Sequence, residues 1–441
     1  MCKSLVENCQ GLRLCTDDAG IGNWKLDPGT RLNKCRSFTN LQMRRFNISK
    51  IPDKYFYDNV NLEILNLAHN RISELSAILF KPLRGLKTLD LSENLIAELS
   101  PDVFKSLTEL KTLVLNKNII TNLNPVIFKP LTKLTRLDLI DNQLISLPVS
   151  LFEANSNIRM LSLSGNPIKV LDKNQLASLV NLRIIQLNNL NELKEYPSEI
   201  FKNNANLEEI YIRSGHFKSL NQNIFVPLTK LNIVDIEFGR MDGINKSPDL
   251  FRYNVELTRV QLRACFWWST SGPFQLPKNA FSSLGKMKFL DLASNHLDNL
   301  LSGIFENNRE LEWLSLINND IKLLDKHVFS SLKVLNFLSL TKNNIETLPT
   351  ELFSKNTELA TLKLNGNKIQ FIHQEQFISL AKLQKLDLSD NPIKQISFNH
   401  FIKNSELTFL NLRKTEVKRL NKNDFGILAK LKTLMWDDPA E

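Results

Sequence analysis

The side chains with the greatest chemical reach in this 441-residue chain are four cysteines near its start, six histidines and a recurring aspartate. Cys2, Cys9, Cys15 and Cys35 precede every regular feature of the sequence. Two chemistries are open to them: two disulfides, in any of three pairings, or a zinc site, which the lack of a C-x-x-C pair fits poorly. Cys265 stands alone and is expected to be a buried free thiol. His69, His216, His296, His327, His373 and His400 lie far apart, form no ligand pair such as H-E-x-x-H, and read as surface residues. Asp90, Asp138, Asp291 and Asp387 recur in Leu-Asp-Leu, but Asn66, Val114 and Ser162 fill the same slot, which rules out a metal array. There is no glycine-rich phosphate loop and no G-x-S-x-G elbow. Neither enzymatic activity nor a cofactor is expected.

A different chemistry, recognition by aromatic and cationic side chains, is concentrated between residues 259 and 337. Phe266-Trp267-Trp268-Ser269-Thr270-Ser271-Gly272-Pro273-Phe274 carries three rings in close succession and a fourth at its end, and Phe289, Trp313 and Phe337 follow at 24-residue intervals, with Arg259 and Arg263 upstream. Contiguous exposed apolar surface marks interaction sites, and aromatic anchors dominate interface energetics. Trp268, Phe274, Phe289, Trp313, Phe337, Arg259 and Arg263 are therefore the candidate site for a protein or an apolar ligand.

The elements that must position these residues follow from one period. Leu62, Leu65, Leu67, Asn70 and Ile72 align with Leu86, Leu89, Leu91, Asn94 and Ile96, giving L-x-x-L-x-L-x-x-N-x-I/L, and the pattern runs from Phe38 to the module opening at Leu431. Within a module, the L-x-L pair has the two-residue period of a strand, so the leucines face a core and their neighbours face out. A strand every 24 residues, with too little chain between for a full helix, implies a parallel sheet returning through short turns. The Asn column (Asn70, Asn94, Asn118, Asn142, Asn166, then Asn295 to Asn391) is expected to satisfy the turn backbone, because each unpaired buried group there would cost roughly 1–3 kcal/mol. A Phe column, Phe56 to Phe425 with Leu176 as its exception, is expected to stack behind the sheet. The third position of each module projects from the sheet's open face, where neighbouring strands lie about 4.8 Å apart, so Phe289, Trp313 and Phe337 should form an exposed row.

By these residues the chain resembles the extracellular leucine-rich repeat family of the 24-residue, Phe-containing type, including Toll and Toll-like receptor ectodomains, insect immune repeat proteins and chaoptin-like adhesion proteins. The resemblance implies an α/β solenoid, a horseshoe with a parallel β-sheet on its concave face and short turns or 3-10 segments on its convex face. It implies a cysteine-bearing N-terminal cap over residues 1–37, which favours two disulfides among Cys2, Cys9, Cys15 and Cys35 and an oxidising compartment. Sixteen repeats would occupy 38–430 and a truncated seventeenth 431–441. An irregular zone, 182–286, has Leu190, Gly215, Gly239 and Cys265 in the Asn slot and modules of 25, 26 and 30 residues, where altered curvature or neutral drift is expected. The implied function is extracellular recognition of an innate-immune, Toll-like kind, with a homodimer as signalling form. Its rivals are a homophilic adhesion protein and an intracellular scaffold.

The rest of the sequence bounds these readings. Fifty-six basic against 46 acidic residues leave a net charge of +10, which suits an acidic partner without defining a nucleic-acid site. Residues 1–50 hold nine basic and four acidic side chains, so the cap would attract a sulfated glycan, or simply be well solvated. Asn47 and Asn245 head the two glycosylation sequons, the second followed by Pro248. No run of about 18 apolar residues is present, so no membrane insertion is expected. Met1-Cys2 has no apolar signal core and Trp436-Asp437-Asp438 falls inside an unfinished repeat, so the chain reads as part of an ectodomain whose signal peptide, C-terminal cap and anchor lie outside it.

Overall fold

The computed structural model describes residues 39–213, 220–238, 251–266, 275–420 and 428–437, together with the backbone of three short strands, Lys3–Ser4, Arg13–Thr16 and Trp24–Leu26. Those three form an antiparallel sheet in which Arg13–Thr16 is central. Cys15 lies on that strand, while Cys2, Cys9 and Cys35, and with them the disulfide expectation, fall outside the described residues. The chain divides into two compact units, Met1–Lys218 and Ser219–Glu441.

Each unit is a parallel-strand solenoid. In the first, Asn40–Gln42, Ile64–Asn66, Thr88–Asp90, Thr112–Val114, Arg136–Asp138, Met160–Ser162, Ile184–Gln186 and Glu209–Arg213 pair in sequence order, each slot beside the same slot of the next module. In the second, Ile233–Glu237, Arg259–Arg263, Phe289–Asp291, Trp313–Ser315, Phe337–Ser339, Thr361–Lys363, Lys385–Asp387, Phe409–Asn411 and Thr433–Met435 do the same. The expected 3-10 segments appear as Val149–Phe152, Gln222–Phe225 and Phe398–Phe401.

The leucines of L-x-x-L-x-L are buried in every described module but the last, where Leu431 and Leu434 are half-buried, and behind them runs the Phe column. Successive rings lie nearly parallel, 6.1–6.5 Å between centroids along Phe56–Phe80–Phe104, Phe281–Phe305–Phe329–Phe353 and Phe377–Phe401. Leu176 fills the one non-aromatic slot and is buried as well.

The Asn column binds the turns as its chemistry requires. The Asn142 amide donates to the carbonyls of Leu115 and Leu139, at 2.9 and 3.1 Å, while its Oδ1 accepts from Ile120 N–H of the preceding module. One side chain thus pairs backbone groups of two modules. Where the column lapses, substitutes are present. The Tyr196 hydroxyl lies 3.5 Å from Leu187 O beside Leu190, and burial holds that phenol well above its ordinary pKa. Cys265, buried and reduced as expected, offers its weak thiol donor to Arg263 O at 3.3 Å, and Asn295 accepts from Cys265 N–H at 2.7 Å. The strands Glu209–Arg213, Ile233–Glu237 and Arg259–Arg263 in this zone have five residues, against three in the corresponding strand of the other described modules. Gly215 and Gly239 lie outside the described residues.

The residue before each Asn turns the chain through the left-handed region. His69, Glu93, Lys117, Asp141, Ser294, Asn318, Lys342 and Asp390 all have φ between 52° and 60°, and Gly165 and Gly366 are the occupants best suited to it. Left-handed backbone strains most L-residues by about 1–2 kcal/mol. Lys342→Gly, at an exposed position with φ of 53°, is accordingly expected to raise stability by up to about 1 kcal/mol, after the extra chain entropy of glycine is set against the relieved strain. A lower denaturant midpoint for this variant would contradict the assignment of strain.

A further column emerges only from the structure. Three residues beyond the Phe slot the chain alternates, without exception from Leu131 onward: Leu131, Asn155, Leu179, Asn204, Leu228, Asn254, Leu284, Asn308, Leu332, Asn356, Leu380, Asn404 and Leu428, all buried. Each of these asparagines donates to two carbonyls of the leucine-type module before it, as Asn308 does to Phe281 O and Leu284 O at 2.9 Å each. Three of the following interfaces are bridged outside instead, by Glu256–Lys286, Glu358–Lys382 and Glu406–Lys430. Exposed pairs of this kind contribute little, so the amides hold the stronger joint.

Candidate functional site: an aromatic ladder on the open sheet face

Phe289, Trp313 and Phe337 occupy the third slot of three adjacent strands, in direct register. Their rings are brought together as a stack: 4.0 Å between the centroids of Phe289 and Trp313, 4.8 Å between Trp313 and Phe337, with planes within 8° of parallel. The strand spacing sets the repeat, and three flat side chains at one slot fill it face to face. Beneath them the fifth slot holds small or compact groups, Asp291, Ser315 and Ser339, all buried, which leaves room for the rings to lie over the sheet.

Cations cover both ends of the stack. The Arg259 guanidinium lies 3.8 Å from the Phe289 centroid and is steadied by Gln261 Oε1, 2.8 Å from its Nε. The Lys363 ammonium sits over the Phe337 ring at 5.7 Å. Each such contact contributes on the order of 0.5–2 kcal/mol, depending on desolvation. Arg263 is committed elsewhere, to the buried Asp291 at 2.6 Å, an ion pair that holds the sheet edge of the site rather than a free polar contact.

The exposed row expected from spacing is therefore modified. The three rings are half-buried, because stacking covers both faces of Trp313 and one face each of Phe289 and Phe337. Trp268 and Phe274 lie outside the described residues, as does Asn245, while Asn47 is half-buried in a left-handed turn.

Sequence reasoning missed the continuation of this surface. One strand beyond Phe337 the third slot drops to Thr361, and a shallow cavity of about 240 Å³ opens there, lined by Thr361, Leu362, Lys363, Lys385, Asp387 and Phe409. The signal was present in the column Phe337, Thr361, Lys385, Phe409, in which one small residue stands among long ones. Asp387 is engaged by the N–H and hydroxyl of Ser389 at 3.0 and 2.6 Å. Among the described residues neither Lys363 nor Lys385 has a carboxylate partner, and none accepts from the Trp313 indole N–H.

The remaining polar candidates have structural partners. His69 joins Arg44 and Glu93, each at 2.6 Å, across three modules. His400 binds Ser397 and Ile372 O at the start of a 3-10 turn, so these two histidines are less superficial than their spacing implied. Asp90 binds Ser92, and Asp138 binds Arg136. Among the described residues no group of three or more His, Cys, Asp or Glu side chains is arranged to hold a metal, and no helix is long and apolar enough to cross a membrane.

Comparison with known proteins agrees with this architecture. The leucine rich repeat family profile matches residues 36–96, 84–144, 132–193, 285–345 and 335–393. A leucine-rich repeat protein of Leptospira interrogans shares 26% identity over 91% of this chain and 96% of its own, with a TM-score of 0.77. Drosophila Toll, solved in complex with Spatzle, is 23% identical with a TM-score of 0.75, covering 88% of this chain, which spans 52% of the Toll chain. TLR13, solved in complex with ssRNA13, is 23% identical with a TM-score of 0.53, covering 96% of this chain and 70% of its own. A search of curated proteins finds no match.

Proposed function

The chain belongs to the leucine rich repeat family, and from that premise we propose that it is an extracellular recognition module, which binds a protein partner on the open sheet face around Phe289, Trp313 and Phe337. The observation that carries this reading is the stack itself. A sheet face that needs only to be solvated has no use for three large rings held in register and flanked by cations, and most other modules place Thr, Arg, Lys or Ile at that slot. The likeness to Toll with Spatzle supports an innate-immune, Toll-like role through the shared fold. Disulfides among Cys2, Cys9, Cys15 and Cys35 and a glycan on Asn47 or Asn245 belong to the same proposal.

The test is capture of partners from extracellular fluid by the wild-type chain and by a Trp313→Ser/Phe337→Ser variant, with bound proteins identified by mass spectrometry. The expected result is one or more proteins retained by the wild type and lost by the variant, with thermal melting nearly unchanged, because both rings sit outside the leucine core. Equal retention by both chains would defeat the proposal. An adhesion role predicts something else: beads coated with the chain alone would cluster.

A further inference from the structure

Building on that reading, we infer that the ladder and the adjoining cavity accept an extended acidic segment of a protein, in which carboxylates alternate with aliphatic side chains. An aromatic ring is electronegative on its faces and electropositive at its edge. In this stack the inner faces are taken up by ring-on-ring contact and the outer face of Phe289 by Arg259, while the Lys363 ammonium stands over Phe337 at 5.7 Å, so most of what the ladder offers a ligand is a strip of edges. Nucleobases and sugar rings are gripped by stacking on an open aromatic face. Within the ladder both faces of Trp313 and the inner faces of Phe289 and Phe337 are already stacked. The RNA probe below therefore tests the outer face of Phe337 and the Phe409 ring as the alternative grip. Edges instead suit carboxylate and carbonyl oxygens, and methyl groups that pack between rings.

The neighbouring polar groups have the same sense. The Trp313 N–H and the ammonium groups of Lys363 and Lys385 are donors without acceptors among the described residues. The two carboxylates of the surface, Asp291 and Asp387, are already engaged by Arg263 and Ser389. Across the third, fifth and seventh slots from Arg259 to Arg413 there are five cations, Arg259, Arg263, Lys363, Lys385 and Arg413, the last paired with Asp437 at 3.9 Å, against those two carboxylates. The cavity over Thr361 adds an apolar wall, Phe409, one strand beyond Lys385. An aliphatic side chain seated over Thr361 would place a flanking carboxylate within reach of Lys363 or Lys385. From Arg259 to Phe409 the surface crosses seven strands, about 29 Å at 4.8 Å per step, which an extended segment of about nine residues would span.

The experiment uses three fluorescent probes of about nine residues with the full chain at physiological ionic strength, ~0.15 M: a peptide alternating Glu with Val and Leu, the same peptide with Lys for Glu, and single-stranded RNA of similar length. Fluorescence anisotropy is expected to show the acidic peptide binding at least about tenfold tighter than either other probe. Lys363→Glu/Lys385→Glu, both at exposed positions, should lower its affinity by about tenfold or more and raise that of the Lys peptide. Thr361→Phe, which fills the cavity while keeping the charge, should weaken the acidic peptide as well. Binding of the RNA or the Lys peptide as tightly as the acidic one, or indifference to charge reversal, would overturn the inference. If it is overturned while Trp313→Ser/Phe337→Ser still abolishes protein capture, the recognition reading stands and only the class of segment is wrong; if capture is also unaffected, both fall.

Discussion

Phe305→Ala is expected to destabilise the second unit by about 3–5 kcal/mol, seen as a large drop in the denaturant midpoint of the purified chain. Phe305 is fully buried and stacked between Phe281 and Phe329 at 6.5 and 6.4 Å, so the truncation removes ring contacts on two sides. The cavity cannot be filled by a neighbour, because both neighbours are themselves held in the stack. Repeat arrays are stabilised by nearest-neighbour interfaces, so the loss weakens two interfaces at once and should broaden the transition as well as shift it. Phe371→Ala provides the contrast. Its ring is 66% exposed, and the change should stay within about 0.5 kcal/mol. Equal effects at the two positions would contradict the role assigned to the Phe column.

The second large effect is expected at Asn142. Removal of its amide in Asn142→Ala leaves Leu115 O, Leu139 O and Ile120 N–H without their side-chain partner in a buried setting. At about 1–3 kcal/mol for each unsatisfied group, a loss of about 3 kcal/mol or more is expected. Asn142→Asp should be at least as damaging above the carboxylate pKa. It can still accept from Ile120 N–H, but it cannot donate, and its charge would face two carbonyl oxygens. Its deficit should therefore shrink as pH falls and the carboxyl is protonated. The exposed Asn122, whose amide reaches only Thr121 Oγ1, serves as the control, with an expected change of less than about 0.5 kcal/mol.

Much of this architecture was legible in the residues alone. The spacing of Leu62, Leu65, Leu67 and Asn70 determines strand, core and turn together, since few arrangements bury three leucines and one amide on a 24-residue period. The Phe column and the buried thiol of Cys265 followed from the same register. The left-handed column was hidden because its occupants, among them His69, Glu93 and Lys117, include few of the glycines that usually announce such a turn. The alternating asparagines were hidden for a different reason. Their period is twice the module length, and an alignment one module at a time averages Asn308 with Leu332. For the candidate site, spacing placed Phe289, Trp313 and Phe337 side by side but could not fix their side-chain torsions, which decide whether faces or edges meet solvent. Lys363 and Lys385 went unnoticed because lysine is common in this chain, and only the cavity over the small Thr361 beside them sets them apart.

The Leu131-to-Leu428 alternation also bears on how such an array can change length. Its amide joints run in one direction, from an asparagine-type coil to the leucine-type coil before it, so the material that can be copied or lost without disturbing a joint is a pair of coils, close to 48 residues. Excising one coil flips the parity of everything downstream and brings like against like, whereas excising two restores the original order. Gene segments encoding this stretch should accordingly have expanded by doublets, and natural length variants should differ by even numbers of turns.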